Sequence, residues 1–189
     1  LKVKKFFNLD QNIKILLYAP TFRKNFNTDI YLQNLSFVQE NLSKRFGGNW
    51  VSLVHLHPNL FNKNVEMIYN KNFIDSGSYP DFQELLVACD VLLTDYSSTM
   101  FEFSFELKPV FLYMADLKEY KQDRDFEIDL NDLPFAISYN LKELKNNILE
   151  FNKEKYNEQL ISFFNRLELK ETGNASKIIV NKIKEELNL

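Results

Sequence analysis

The sequence predicts an α/β domain in which a parallel sheet carries helices on both faces. Short apolar runs alternate with segments whose apolar residues recur at helical spacing. The clearest runs lie within Lys14–Pro20 and Asp90–Asp95, and both have the composition of strands that are buried on two faces. Strands that alternate with helices form a parallel sheet with right-handed crossovers.

The predicted elements follow one another along the whole chain. Strands are expected within residues 14–20, 50–57, 65–74, 90–95 and 109–113, and helices within 29–46, 81–89, 97–107, 140–152, 154–167 and 173–188. Gly47 ends the first helix. Capping boxes begin two others, at Asp81 with Glu84 and at Asn140 with Glu143. Residues 115–132 are polar and acidic and predict a loop with a helical turn.

Composition excludes several classes of protein. A net charge of −3 argues against a nucleic-acid partner, because binding to phosphate-rich polymers usually requires a basic face. The single cysteine, Cys89, cannot form an internal disulfide, and with only two histidines a structural zinc site is not expected. No carboxylate pair suited to Mg²⁺ stands out, so no metal site is predicted. A single cysteine without a disulfide partner predicts a reducing, cytosolic compartment.

The chain is predicted to be one nucleotide-binding domain over residues 1–189, with helices of 141–189 packing on it. Because it opens at Leu1 rather than at a methionine, we expect it to be part of a longer chain. No run reaches the roughly 18 consecutive apolar residues of a spanning helix. No signal peptide is visible.

A ligand site is expected at the carboxyl ends of the strands. Open, Rossmann-like sheets bind ligands there, at the point where the strand order reverses. The segments that follow predicted strands are Thr21–Arg23, His57–Asn59, Asp95–Thr99 and Met114–Asp116.

The turn after the central strand is the strongest candidate. Unpaired N–H groups at a helix start, together with the hydroxyls of Ser97, Ser98 and Thr99, favour a phosphate or pyrophosphate. The alternative is plain helix capping by Ser97 or Ser98. The carboxylate of Asp95 is poorly suited to a place beside an anion, so it is alternatively expected to orient the turn or a hydroxyl.

Two further candidates follow the first two strands. His57 can donate to a phosphate or move a proton near neutral pH. Arg23 can clamp a phosphate with two hydrogen bonds, and Thr21 lies beside it. The alternatives are a structural histidine and a surface salt bridge. His55 points to the same side of its strand as His57, and one of the two is expected to be packed.

Charged residues later in the chain are weaker candidates. Arg124 is either a supporting cation or a solvated loop charge. Glu102 and Glu106 lie four residues apart on one helix face, where they serve acid–base chemistry or are simply solvated.

With these residues in view, the chain resembles the CDP-glycerol glycerophosphotransferase family along nearly its whole length. The similar segments occur in the family's order: Ile15–Arg23, Val54–Asn59, Tyr79–Asp81 with Glu84–Leu86, Asp90–Ser98, Phe101–Phe103, Lys108–Val110, Asp116–Leu117 with Glu119–Tyr120, Arg124, and Gly173–Ser176. Each segment alone is weakly specific, but their order and spacing together are specific.

The resemblance implies the carboxyl-terminal, donor-binding lobe of a two-lobed enzyme of the GT-B type. Family members transfer glycerol phosphate or ribitol phosphate from a CDP-alcohol to a growing cell-surface polymer and release CMP. The resemblance places the donor's pyrophosphate on Ser97, Ser98 and the neighbouring amides, with His57 donating to the phosphates or protonating the leaving group and with Arg23 and Arg124 as supporting cations. Thr21, Asp95, Thr99 and Glu102 complete the expected nucleotide site.

The same resemblance implies the partners. No cofactor is expected besides the CDP-alcohol substrate. A polymer or lipid-linked acceptor and the catalytic base would belong to an amino-terminal lobe, so this chain alone is expected to bind nucleotide without turnover. Family members act at the inner face of the bacterial membrane, and a membrane contact would again lie outside these residues.

Two other functions stay open at this point. One is a GT-B glycosyltransferase that uses a nucleotide-sugar, which the Asp95–Ser98 turn would serve equally. The other is a non-enzymatic, flavodoxin-like regulatory domain, although Asp95 and Asp116 do not form a convincing phosphoacceptor cluster.

Overall fold

The computed structural model describes residues 2–21, 34–56, 69–123, 126–169 and 172–187. Its strands are β1 (Lys14–Tyr18), β2 (Trp50–Val54), β3 (Phe73–Asp75), β4 (Val91–Thr94), β5 (Val110–Tyr113) and β6 (Ala136–Ser138). Its α-helices are α1 (Lys2–Phe6), α2 (Leu35–Phe46), α3 (Phe82–Ala88), α4 (Thr99–Ser104), α5 (Leu117–Asp123), α6 (Leu141–Leu149), α7 (Lys153–Arg166) and α8 (Ala175–Leu187).

The six strands form one parallel sheet in the order β3-β2-β1-β4-β5-β6. The chain proceeds from β1 to one side through β2 and β3, and then returns to place β4 on the other side of β1. The strand order therefore reverses between the carboxyl ends of β1 and β4, which is where such sheets bind ligands. The predicted Rossmann-like α/β class is confirmed. The flavodoxin-like alternative is wrong, because that fold has a different strand order.

Buried side chains cover both faces of the sheet, as the continuous apolar runs predict. Leu17, Leu92 and Leu112 belong to one core cluster, to which α1, α3, α4 and α7 contribute. Their neighbours Leu16 and Leu93 belong to the other, to which α2 and α6 contribute. Alternate residues of a strand point to opposite faces, so one apolar run supplies both cores.

Local signals set several helix boundaries. Asp81, Asn140 and Asn152 each accept a hydrogen bond from the backbone N–H three residues later, which begins α3, α6 and α7. Gly47 ends α2 with φ +68°, a conformation that glycine adopts without strain.

The predicted capping box at Asp81 is only half formed. The carboxylate of Glu84 accepts instead from Lys2 Nζ at 2.6 Å and from the Tyr79 hydroxyl, and thereby ties α1 to the start of α3. These two contacts of Glu84 replace its expected hydrogen bond to the Asp81 N–H.

The sequence prediction missed four short elements. The segment 115–132 contains α5 and a 3-10 turn, Leu130–Asp132, rather than a loop with one helical turn. The edge strand β6 pairs with β5 over only three residues, and α1 has five residues. Elements this short span at most about two hydrophobic periods, which is too few for a pattern to predict them, and their stability comes from the neighbours on which they pack.

The three carboxyl-terminal helices differ in their packing. Leu144 and Ile148 of α6, and Leu160 of α7, are buried. In contrast, α8 buries no residue, and Ile179 and Ile183 are among its exposed apolar side chains. For α8 the expectation of packing on the domain is therefore not met. No helix in the described part of the chain is long and apolar enough to cross a membrane.

Two phenylalanines of α4 and its C-cap test the importance of the core. Phe103 is 0% exposed, whereas Phe105 is 45% exposed. We expect Phe103→Ala to lower the free energy of unfolding by about 3–5 kcal/mol, because it leaves a cavity between sheet and helices. Phe105→Ala is the matched control and should cost less than about 1 kcal/mol. Urea denaturation measures both, and equal losses would contradict the assignment of Phe103 to the core.

Candidate functional site

The carboxylate of Asp95 joins the ends of β1 and β4 at the point where the strand order reverses. Its Oδ1 atom accepts hydrogen bonds from the Thr21 backbone N–H at 2.9 Å and from the Thr21 hydroxyl at 2.6 Å. It also accepts from the Tyr96 N–H at 2.6 Å. Asp95 is 2% exposed, so these donors offset the cost of burying its charge. Orienting the turn, one of the two predicted roles of Asp95, agrees with this geometry.

Further hydrogen bonds extend the pairing of β1 and β4 into the same turn. The buried Thr94 hydroxyl donates to the Ala19 carbonyl at 2.6 Å, and the Ala19 N–H donates to the Leu93 carbonyl at 3.1 Å. The backbone that enters the site is therefore fixed from both strands before the serine-rich turn begins.

The turn that leads into α4 is organised by Ser97. Its hydroxyl oxygen accepts from the Thr99 N–H at 3.3 Å and bonds to the Thr99 hydroxyl at 2.9 Å. Ser98 occupies the N-cap position but makes no side-chain capping hydrogen bond, and it is exposed. The capping alternative thus describes Ser97 and does not describe Ser98, whose role toward a ligand stays a prediction.

Glu102 lies on the first turn of α4, near the serine-rich turn. Its carboxylate accepts from the Gln83 side-chain amide of α3 at 2.7 Å. Glu106 lies beyond the end of α4 at Ser104, so it does not share a helix face with Glu102 as predicted, and its carboxylate is 4.0 Å from Lys108 Nζ. The two carboxylates have separate partners at the surface, which favours the solvated-face interpretation over a shared acid–base site.

His55 is the packed histidine. Its backbone N–H donates to the Tyr18 carbonyl at 2.8 Å, its Nδ1 lies 3.3 Å from the buried Ser76 hydroxyl, and its ring centroid is 4.5 Å from that of Phe82. Burial lowers the pKa of His55 from its usual 6.5, against the opposing effects of Ser76 and of the Asp75 charge.

Three predicted site residues, Arg23, His57 and Arg124, lie outside the described residues. Their proposed roles therefore stay predictions. Among the residues that are described, no group of three or more histidine, cysteine, aspartate or glutamate side chains is arranged to hold a metal ion.

The structure adds an aromatic cluster that sequence reasoning did not assign to the site. Tyr96 stacks on Tyr120 with ring centroids 3.7 Å apart, and its hydroxyl donates to Asp116 Oδ1 at 3.0 Å. Phe126 lies 5.7 Å from both rings. The position of Asp116 after β5 was a usable signal, since the carboxyl ends of β4 and β5 adjoin in this sheet.

The hydrogen bonds of Asp95 give a first prediction for the site. Asp95→Ala removes the acceptor shared by the half-buried donors of Thr21 and Tyr96, and we expect it to lower the free energy of unfolding by about 2–3 kcal/mol. Asp95→Asn keeps an acceptor oxygen and should cost less. Asp129→Ala is the control, because Asp129 also caps a turn but is exposed. Equal effects of the two alanine variants in chemical denaturation would refute the bridging role.

The surroundings of His55 give a second prediction. In the folded chain its ring is expected to titrate below 6.5, so the unfolded chain binds a proton first as the pH falls. The stability that the neutral ring contributes is present above pH 6.5 and is lost as the pH drops below that value. NMR of the ring C–H signals, assigned with His55→Gln and compared with the chain in urea, measures the midpoint. A folded midpoint at or above the unfolded one would contradict the prediction.

Comparison with known proteins identifies relatives of the whole chain. It is 37% identical to the teichoic acid glycerol-phosphate primase of Bacillus subtilis over 90% of this chain and 43% of that protein. It is 32% identical to the teichoic acid poly(glycerol phosphate) polymerase of Staphylococcus epidermidis, over 98% of this chain and 27% of that protein. The chain thus spans less than half the length of these relatives.

Solved structures agree with the sequence relatives. A structure of the wall teichoic acid polymerase TagF aligns over 100% of this chain and 48% of that chain, with a TM-score of 0.74 and 29% identity. A variant of TagF soaked with CDPG aligns over 99% of this chain and 45% of that chain, with a TM-score of 0.69 and 28% identity. The family model described as CDP-Glycerol:Poly(glycerophosphate) glycerophosphotransferase matches residues 1–185, and the chain belongs to this family.

Proposed function

We propose that this chain is the donor-binding part of a CDP-alcohol phosphotransferase that transfers glycerol phosphate to a cell-surface polymer. The observation that carries the proposal is the Asp95–Thr21 bridge beside the exposed Ser98, at the point where the strand order reverses. Family membership and the alignment with a TagF variant soaked with CDPG support a CDP-alcohol as the ligand of this edge.

In the proposed reaction an acceptor hydroxyl attacks the phosphorus that bears the alcohol. The bond from that phosphorus to the bridging oxygen breaks, and CMP leaves with the negative charge that grows on it. Such a reaction depends mainly on positioning and on stabilisation of that charge. Ser97, Ser98, Thr99 and the amides of their turn would hold the pyrophosphate.

The remaining residues have supporting roles in the proposal. Asp95 would keep Thr21 and the serine-rich turn in register rather than touch the anion, since three donors already engage its Oδ1 atom. His57 would donate to the phosphates or protonate the leaving group, with Arg23 and Arg124 as cations. Glu102 would face the nucleoside side of the donor from α4.

The proposal extends to partners and place. The acceptor would be a polymer or lipid-linked chain held by an amino-terminal lobe, which would also supply the base and any contact with the inner face of the bacterial membrane. The donor-binding part alone is then expected to bind nucleotide without turnover. The proposal includes no cofactor besides the CDP-alcohol. A preference for cytidine or uridine nucleotides in binding distinguishes the CDP-alcohol from the alternative donor, a nucleotide-sugar.

The test is calorimetric titration of the chain with CDP, CMP, UDP and CDP-glycerol. We expect CDP and CDP-glycerol to bind in preference to UDP. Ser98→Ala and His57→Ala should each weaken CDP binding about tenfold, the effect of losing a hydrogen bond to a charged group. Ser162→Ala, on the exposed side of α7, is the matched control and should change nothing.

Two outcomes would contradict the proposal. Preferential binding of UDP would favour a nucleotide-sugar donor. Unchanged CDP affinity in Ser98→Ala would remove the serine-rich turn from the site.

A further inference from the structure

Tyr96 is held on two sides by residues that follow a different strand. Its ring stacks on that of Tyr120 in α5 with an interplanar angle of 15°. Its hydroxyl donates to Asp116, which lies just after β5, at 3.0 Å. Its backbone N–H donates to Asp95 at 2.6 Å. Both the backbone and the far end of this side chain are therefore fixed.

These contacts form a continuous path along the carboxyl edge of the sheet. Thr21 after β1 donates to Asp95 after β4, the next residue Tyr96 donates to the same carboxylate, and the Tyr96 hydroxyl reaches Asp116 after β5. Because β1, β4 and β5 are neighbours in the sheet, the path spans three strand ends.

Tyr96 is also the residue from which the serine-rich turn departs. With its N–H and its hydroxyl both engaged, the backbone torsions that aim Ser97 and Ser98 have little freedom. The stacked ring adds a further restraint, since tilting Tyr96 would separate it from Tyr120. The direction of the turn thus depends on residues that lie beyond β5 and outside the turn itself.

We propose that Asp116 and Tyr120 are positioning residues for nucleotide binding, which act through Tyr96 to hold the turn of Ser97–Thr99 in the orientation that binds a diphosphate. This inference rests on the proposed function. Neither residue needs to touch the nucleotide, because holding a flexible turn in its binding-competent form raises the apparent affinity in proportion to the fraction so held.

The test is a double-mutant cycle on the Tyr96–Asp116 hydrogen bond. Tyr96→Phe removes the hydroxyl but keeps the ring stack, and Asp116→Ala removes the acceptor. We expect each to weaken CDP binding about threefold to tenfold, and the double variant to bind no more weakly than the weaker single variant. Asp116→Asn keeps an acceptor oxygen and should restore most of the affinity. Tyr120→Leu, which removes the stack, should weaken binding as well.

A second readout separates positioning from a merely structural role. Hydrogen exchange of the amides of Tyr96–Thr99 is expected to accelerate in Tyr96→Phe and in Asp116→Ala, while the thermal midpoint changes little. Tyr139→Phe is the control, because Tyr139 is an exposed tyrosine outside the cluster. Effects on CDP affinity that add in the double variant, or a lower thermal midpoint with unchanged affinity, would overturn the inference.

The same titrations distinguish this inference from the proposed function. If the parent chain binds CDP and Ser98→Ala weakens it, but Tyr96→Phe and Asp116→Ala do not, then the inference is wrong and the proposed function stands. If the parent chain binds neither CDP nor CDP-glycerol, the proposed function fails and the inference fails with it.

Discussion

The carboxylate of Asp95 is the contact on which the candidate site depends. A parallel sheet brings the ends of β1 and β4 side by side, but the segments beyond those ends have no ladder to hold them. Asp95 supplies that connection by accepting from both the backbone and the hydroxyl of Thr21, while its own chain neighbour Tyr96 donates to the same oxygen. Burying a carboxylate costs free energy unless hydrogen-bond donors surround it, and the three donors to Asp95 meet this requirement.

The negative charge of Asp95 is compatible with a proposed anion site nearby once its hydrogen-bond donors are considered. Oδ1 of Asp95 accepts three hydrogen bonds, from the backbone and the hydroxyl of Thr21 and from the Tyr96 amide, which offset part of its charge. Ser98, in contrast, is exposed and its hydroxyl makes no capping hydrogen bond. In the proposed site, Asp95 would thus support the turn and Ser98 would contact the ligand.

Sequence reasoning predicted the parts of the fold that have strong local signals. The apolar runs that became β1 and β4 are continuous, because both of their faces are buried. The edge strand β6 carries no such signal, since it has only three residues. Its partner β5 is separated from it along the chain by α5. Its existence follows from the tertiary arrangement.

The candidate site likewise has features that the sequence predicts and features that depend on the tertiary structure. Electrostatics alone suggested that Asp95 orients something rather than binds an anion, but its partner Thr21 lies 74 residues away. That pairing depends on the strand order, which no local pattern specifies. The Tyr96–Tyr120 stack was missed for the same reason, because the turn after β4 and the helix after β5 meet only when these two strands are neighbours.

The network along the sheet edge suits the chemistry proposed for this family member. In the proposed transfer of glycerol phosphate the protein forms no bond to phosphorus, so the rate would depend mainly on how well the donor is positioned before the acceptor arrives. A pyrophosphate held by a serine-rich turn is only as fixed as that turn. The contacts of Asp95 with the β1 end and of Tyr96 with the β5 end tie the orientation of the turn to the strand order of the sheet. In the proposed reaction, the acceptor would then meet a donor site whose geometry is set by folding.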